Sequence, residues 1–241
     1  MKTAAGAPSH FESTSDVARA QKKGYRWKRL RYCPCSPKDP VYAAHKRADW
    51  HLLKQWAEAD ILRLVYLDES GFERISPLAY SYSLCGQQHR IPKPQRRGRR
   101  INALGFWEPH VRFDYGLVVG RFNTQRNLPL MHWQAQKAQQ HLQATGQITV
   151  IVQDGASFHR SRETQKHWSA WQEQGLFLFF LPPQSPQMNR IEEEWLHLKR
   201  HELSAQLFED EYDLAIALIE TIEKRGQRRG YPVERFRFNS G

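Results

Sequence analysis

Residues 61–71 read ILRLVYLDESG, and residues 148–155 read ITVIVQDG. Each begins as a short apolar run rich in β-branched residues, the signature of a buried strand. Each run stops at an aspartate, Asp68 in the first and Asp154 in the second. A third run, Leu176–Leu181 (LFLFFL), is stopped by Pro182 and Pro183. Buried runs separated by helical stretches predict an α/β domain with a mixed sheet flanked by helices. Ligands of such sheets gather at the carboxyl ends of the strands. Asp68 and Asp154 are expected at one such edge if their strands are parallel neighbours.

The flanking sequence supplies the helices. Val41, Ala44, Ala48, Leu52, Trp56 and Ala59 recur at steps of three and four, predicting an amphipathic helix over 41–59. Ile101–Trp107 reads as a strand, and the alternation from Val111 to Val119 reads as a second one, paired with it in a hairpin. Gln125–Thr145 reads as a helix closed by Gly146, and Ser161–Gln174 as one whose Trp168 and Trp171 face the sheet. Ile191–Leu203 and Asp210–Lys224 complete the set, the last with Gly226 just past its end. Residues 1–40 are expected to form a flexible arm and basic linker, punctuated by CPCSPKDP, and 41–241 a single catalytic domain.

Charge narrows the partners. The 241 residues hold 36 Lys and Arg against 25 Asp and Glu, a net charge of +11. Three runs carry the excess: Gln21–Arg31 and Arg90–Arg100 with six basic residues and no acid each, and Lys224–Arg237 with six and one acid. One such run reads equally as a solvated face. Three, two of them with embedded aromatics, favour a polyanion such as nucleic acid. No apolar stretch approaches the roughly 18–20 residues of a membrane-spanning helix, so no membrane partner is expected. The opening MKTAAGAPSHFESTSD lacks a signal peptide's apolar core, and three cysteines make no disulfide framework; both point to the cytoplasm.

The acids suggest the chemistry. Two carboxylates about 4 Å apart repel by roughly 4 kcal/mol at an effective dielectric near 20, a cost that a cation offsets. Oxygen ligands without His or Cys suit Mg²⁺ or Mn²⁺. Two such ions activate a water or a 3′-hydroxyl and stabilise the leaving oxygen in phosphodiester cleavage. A third acid is available among Glu192, Glu193 and Glu194, where the stripe Ile191, Trp195, Leu198 turns Glu194 toward the buried side. The competing reading is that each Asp only caps the turn after its strand.

Three blocks carry more than spacing: YLDESGF at 66–72, VQDGASFHR at 152–160 and LPPQSPQMNRIEEEW at 181–195. In this order they resemble the DDE-type transposases of bacterial insertion sequences in the Tc/mariner superfamily, over roughly residues 24–203. The resemblance implies a ribonuclease-H-like fold, and excision and joining of DNA with two Mg²⁺ or Mn²⁺ ions. It implies Asp68, Asp154 and Glu192 as catalytic and metal-binding acids, with Asp154 bridging the ions. Arg190 stands where that pattern has proline, and Gly155 where it often has asparagine.

His159 and Glu69 are candidates to support the acids from behind. Lys28 and Arg29 in the Gly24–Arg29 segment, and Arg96, Arg97, Arg99 and Arg100 before a strand, are the expected contacts to double-stranded DNA. The resemblance also implies a homodimer on DNA and a helix-turn-helix segment, separate or fused, because residues 1–23 leave little room for one. The expected location is the bacterial cytoplasm, at the nucleoid when bound to DNA. Alternatives are a ribonuclease-H-like nuclease that does not join strands, and an inactive DNA-binding remnant.

Overall fold

The computed structural model describes residues 39–74, 98–183, 185–204 and 206–238. Six strands form one mixed sheet: β1 (Leu62–Phe72), β2 (Ile101–Glu108), β3 (Arg112–Val119), β4 (Ile148–Gln153), β5 (Leu176–Phe180) and β6 (Val233–Phe236), in the order β5-β4-β1-β2-β3-β6. β1, β4 and β5 run parallel, β1–β2–β3 is an antiparallel meander, and β6 joins β3 in parallel. The expected hairpin is β2–β3, turned at Pro109–Val111, with His110 in the left-handed region at φ 64.

Successive residues of β1 face opposite sides of the sheet. Leu64 and Tyr66 point into one apolar core with Trp107, Ile191, Trp195 and Leu218, while Val65 and Leu67 point into a second with Leu104, Leu130, Ile151 and Trp171. The first core is covered by α1 (Pro40–Glu58), α5 (Ile191–His197) and α6 (Glu211–Arg229). The second lies under α2 (Thr124–Thr145), α3 (Arg162–Gln165) and α4 (Trp168–Glu173). Caps follow the sequence: Asn123 accepts from the Arg126 N–H at the start of α2, and Gly146 closes that helix at φ 77.

Several expectations are corrected. β1 does not end at Asp68. Ser70-Gly71 reads locally as a turn, but β2 supplies ladder partners as far as Phe72 opposite Ile101, so the strand continues. The helix over 41–59 forms as α1, yet its predicted stripe faces water: Val41 is 62% and Leu52 42% exposed. The buried side carries Ala43 and Trp50, with Leu53 and Ala57 packed behind them. Both stripes have helical spacing and each carries a tryptophan; Trp50 is the one that docks, while Trp56 stays 40% exposed. Ser161–Gln174 is two short helices broken at Lys166-His167. Ile191–Leu203 is α5 followed by a π-helical turn over Leu198–Glu202. α6 runs past Gly226 to Arg229, held by a buried ion pair at Arg225, and closes at Gly230. β6, inside the last basic run, had no strand reading at all.

Candidate active site

Parallel pairing sets the two aspartates at one level. Tyr66 lies opposite Val152, so Asp68 and Asp154, two residues further on each strand, stand side by side at the end of β4. Asp68 faces the α5 side, as Tyr66 does. Asp154 leaves the sheet with its side chain 60% exposed, and its Oδ1 accepts from the Ala156 N–H at 3.0 Å.

The third acid comes from α5. Just before that helix, buried Asn189 donates from Nδ2 to the Leu67 carbonyl at 2.9 Å, and its own carbonyl accepts from the Glu192 N–H at 3.1 Å. This ties the proline-rich loop to the strand one residue before Asp68. Arg190 sits at φ −61, the angle that proline would impose, so the departure from proline leaves the start of the helix unchanged. α5 then packs its Trp195 across Gly105, the residue opposite Asp68 in the ladder. A Cβ on Gly105 would lie 2.7 Å from Trp195 Cη2 and 3.1 Å from Ile191 Cδ1, so only a bare backbone admits the helix.

The geometry separates the three glutamates. Glu192 lines a 710 Å³ cavity together with Asp68 and Asp154. Glu194, which helical periodicity turned inward, is buried but held by Arg225 from α6, whose Nη2 donates to Oε1 at 2.9 Å. Glu193 is exposed. The cavity is walled by Tyr42, Arg160, Leu181, Pro182, Pro183 and Pro186 among others.

The electrostatics are those of crowded acids. Burial, with Glu192 and Asp154 adding to it, pushes Asp68 up to about 7 against the counter-pull of a backbone hydrogen bond and Lys199. Burial also raises Glu192, with Asp154 adding to it. Lys199 is lowered by burial and then by Arg100. A divalent cation is the partner that relieves such a set, and an all-oxygen donor set suits Mg²⁺ or Mn²⁺. Among the described residues no three His, Cys, Asp or Glu side chains are close enough to enclose an ion together. The acids share one cavity, and their donor chemistry fits the metal.

His159 is almost fully buried beside Asp154, with 3.9 Å between Nε2 and Oδ1. That spacing is too long for a hydrogen bond. Burial drives the imidazole down to about 3, so it is neutral and the contact is not an ion pair. Glu69 points to the sheet face opposite Asp68 and is raised by burial. Arg100 reaches a neighbouring cavity that also touches Asp68 and Asp154. Arg99 is exposed, and its N–H donates to Glu211 Oε1 at 2.6 Å; it lines neither cavity. Lys28, Arg29, Arg96 and Arg97 lie outside the described residues.

Sequence reasoning missed four residues around the acids. Asn189 was visible only as part of a motif. Arg160, its guanidinium 4.3 Å from the Phe180 ring centroid, lies at the end of the second block. Tyr42 and Arg121 gave no signal, since distant segments bring them in.

Residues 63–215 match the family described as DDE superfamily endonuclease. A search of the curated proteins finds no match. Among solved structures, the chain is similar to the mariner Mos1 paired end complex with Mg, at 19% identity and a TM-score of 0.65, covering 90% of this chain and 68% of that one. The Mos1 paired end complex with Mn matches at 18% identity and a TM-score of 0.61, with the same coverage. The isolated catalytic domain of Mos1 mariner transposase matches at 14% identity and 0.52, covering 83% of this chain and 95% of that one. At these identities the likeness establishes the ribonuclease-H-like fold.

Proposed function

This chain belongs to the DDE superfamily endonucleases, and from that membership we propose that it is the catalytic part of a transposase, cutting DNA and joining the released 3′-hydroxyl to a target. Residues 41–241 form the catalytic domain on this reading, and 1–40 the arm and linker that lead into it. Asp68, Asp154 and Glu192 hold two Mg²⁺ or Mn²⁺ ions, as a set of oxygen donors that repel one another without them. Ions bound there would activate the attacking oxygen and stabilise the leaving one. The supporting residues keep the acids in register: Asn189 fixes the loop, and Arg225 fixes the helix. Related structures were solved with Mg, with Mn and as paired end complexes. By analogy the chain works on double-stranded DNA as a homodimer, with a helix-turn-helix segment, separate or fused, recognising the ends. Lys28, Arg29, Arg96, Arg97, Arg99 and Arg100 contact the DNA backbone in this reading. No described helix is long and apolar enough to cross a membrane, and the chain acts where DNA is, in the bacterial cytoplasm at the nucleoid.

One observation carries this: three acids from separate parts of the chain line one cavity. The test is nicking of supercoiled plasmid under Mg²⁺ or Mn²⁺, with Asp154→Asn as control. Metal-dependent nicking lost in that variant is expected; equal nicking in both would remove the site. A pre-cut end with a free 3′-hydroxyl then separates joining from hydrolysis alone. Product only from hydrolysis would favour a nuclease that does not join strands, and DNA binding without cleavage an inactive remnant.

A further inference from the structure

Asp68, Asp154 and Ala156 also line a second cavity, of 400 Å³, which Glu192 does not reach. It opens from the other face of the sheet, because Glu69 and Gly71 alternate with Asp68 along β1 and Phe122 belongs to the second core. The two walls differ in chemistry. The first cavity presents leucine and prolines with one arginine, Arg160; the second presents two arginines, Arg100 and Arg121, with Glu69 and Asn102.

Arg100 is seated there by the backbone. A Cβ on Gly71 would overlap the Nε and Cζ of Arg100, so the guanidinium lies against a position that any other residue would fill. Asn102, opposite Gly71 in the ladder, donates from Nδ2 to the Gly120 carbonyl at 2.8 Å and ties the segment bearing Arg121 to β2. Glu69 faces both arginines and accepts from the Phe122 backbone N–H. Away from the rim that carries Asp68 and Asp154, the chamber wall holds two guanidinium groups, Arg100 and Arg121, against one carboxylate, Glu69, so that wall keeps one positive charge, which matches one phosphodiester.

We propose that this second chamber binds a single backbone phosphate of the DNA strand being cut, shared between Arg100 and Arg121, next along from the bond at the carboxylates. The strand then crosses the rim between the two cavities, where Asp68 and Asp154 stand. The inference rests on the reading of those acids as a DNA-cutting site, and it adds the direction in which the uncut strand leaves.

The test is the salt dependence of DNA affinity, measured by fluorescence anisotropy on the full chain with a labelled duplex in EDTA, so that no cleavage intervenes. Each lost phosphate contact lowers the slope of log K against log salt by about 0.9. Arg121→Gln and Arg100→Gln are each expected to lower it by about that amount. The double variant is expected to fall no further, because both arginines hold one phosphate. Gly71→Ala displaces the Arg100 guanidinium without changing net charge and is expected to lower the slope as Arg100→Gln does. Unchanged slopes in Arg121→Gln and Gly71→Ala would overturn the site, as would a doubled loss in the double variant. Nicking by the parent chain is scored separately: its absence with altered slopes removes the cutting site and leaves the chamber, and its presence with unaltered slopes removes the chamber alone.

Discussion

Arg225 and Glu194 form a two-pronged ion pair between α6 and α5, both side chains almost fully buried. This pair fixes the rotation of the helix that carries Glu192. Helical residues two apart point in nearly opposite directions, so pinning Glu194 toward α6 leaves Glu192 toward the cavity. Removing Arg225 strands a buried carboxylate. Arg225→Ala is expected to cost about 3 kcal/mol, read from the urea midpoint, and to slow nicking through the displaced Glu192. Replacing both partners with leucine is expected to recover most of the stability. If single and double variants lose the same amount, the pair is not the tether.

Among the acids, the expected hierarchy is steep. Asp68→Asn, Asp154→Asn and Glu192→Gln each remove a donor and are expected to slow metal-dependent nicking by about a thousandfold, several kcal/mol of transition-state stabilisation. Glu193→Gln, on the exposed side of α5, is expected to stay within about threefold. In EDTA, Asp68→Asn relieves like-charge repulsion and is expected to melt about 2–4 °C above the parent, the shift of about 1 kcal/mol in a domain of this size. Added Mg²⁺ is expected to close that gap by stabilising only the parent. A lower melting temperature for Asp68→Asn in EDTA would contradict the crowding.

How much of this was legible depended on where the deciding contact lay. That β1 and β4 are strands was legible in their apolar runs, because fully buried strands declare themselves by composition; their parallel pairing entered only as a condition and is supplied by the ladder. The end of β1 was not legible, since Ser70-Gly71 looks like a turn until β2 pairs with it. The choice between Glu192 and Glu194 was open to periodicity, which correctly buried Glu194, but the buried partner is Arg225, 31 residues away. β6 was hidden inside a basic run: Glu234 is tied to Arg112 and Lys137, and Lys137 in turn to Asp114 on β3. Those are long-range ion pairs with no local pattern.

Gly105 sets how closely α5 approaches the sheet, as the Arg225–Glu194 pair sets its rotation. Its missing side chain lets Trp195 lie across the ladder opposite Asp68. Gly105→Ala is expected to push α5 outward, costing about 1–3 kcal/mol as an overpacked core does. Because the shift moves Glu192 and leaves Asp68 and Asp154 in place, nicking is expected to fall further than the stability loss explains, measured well below the melting temperature. Activity that tracks only the folded fraction would show that the helix position is not set here.

His159 gives the pH dependence. Its ring is buried with no hydrogen-bond partner for Nδ1 among the described residues, and burial lowers it to about 3 from an ordinary value of 6.5. The unfolded chain therefore binds a proton that the folded chain refuses between those values. By linkage, stability from this residue is complete above about pH 6.5 and is lost as pH falls toward 3, with a slope of up to about 1.4 kcal/mol per pH unit. Carboxylates elsewhere add their own acid limb, so the comparison is with a variant. His159→Leu cannot take up the proton in either state, and its urea-derived stability is expected to fall less steeply than the parent's between pH 6 and pH 4. Identical slopes would mean that His159 is charged in the fold, paired with Asp154 across the 3.9 Å gap after all.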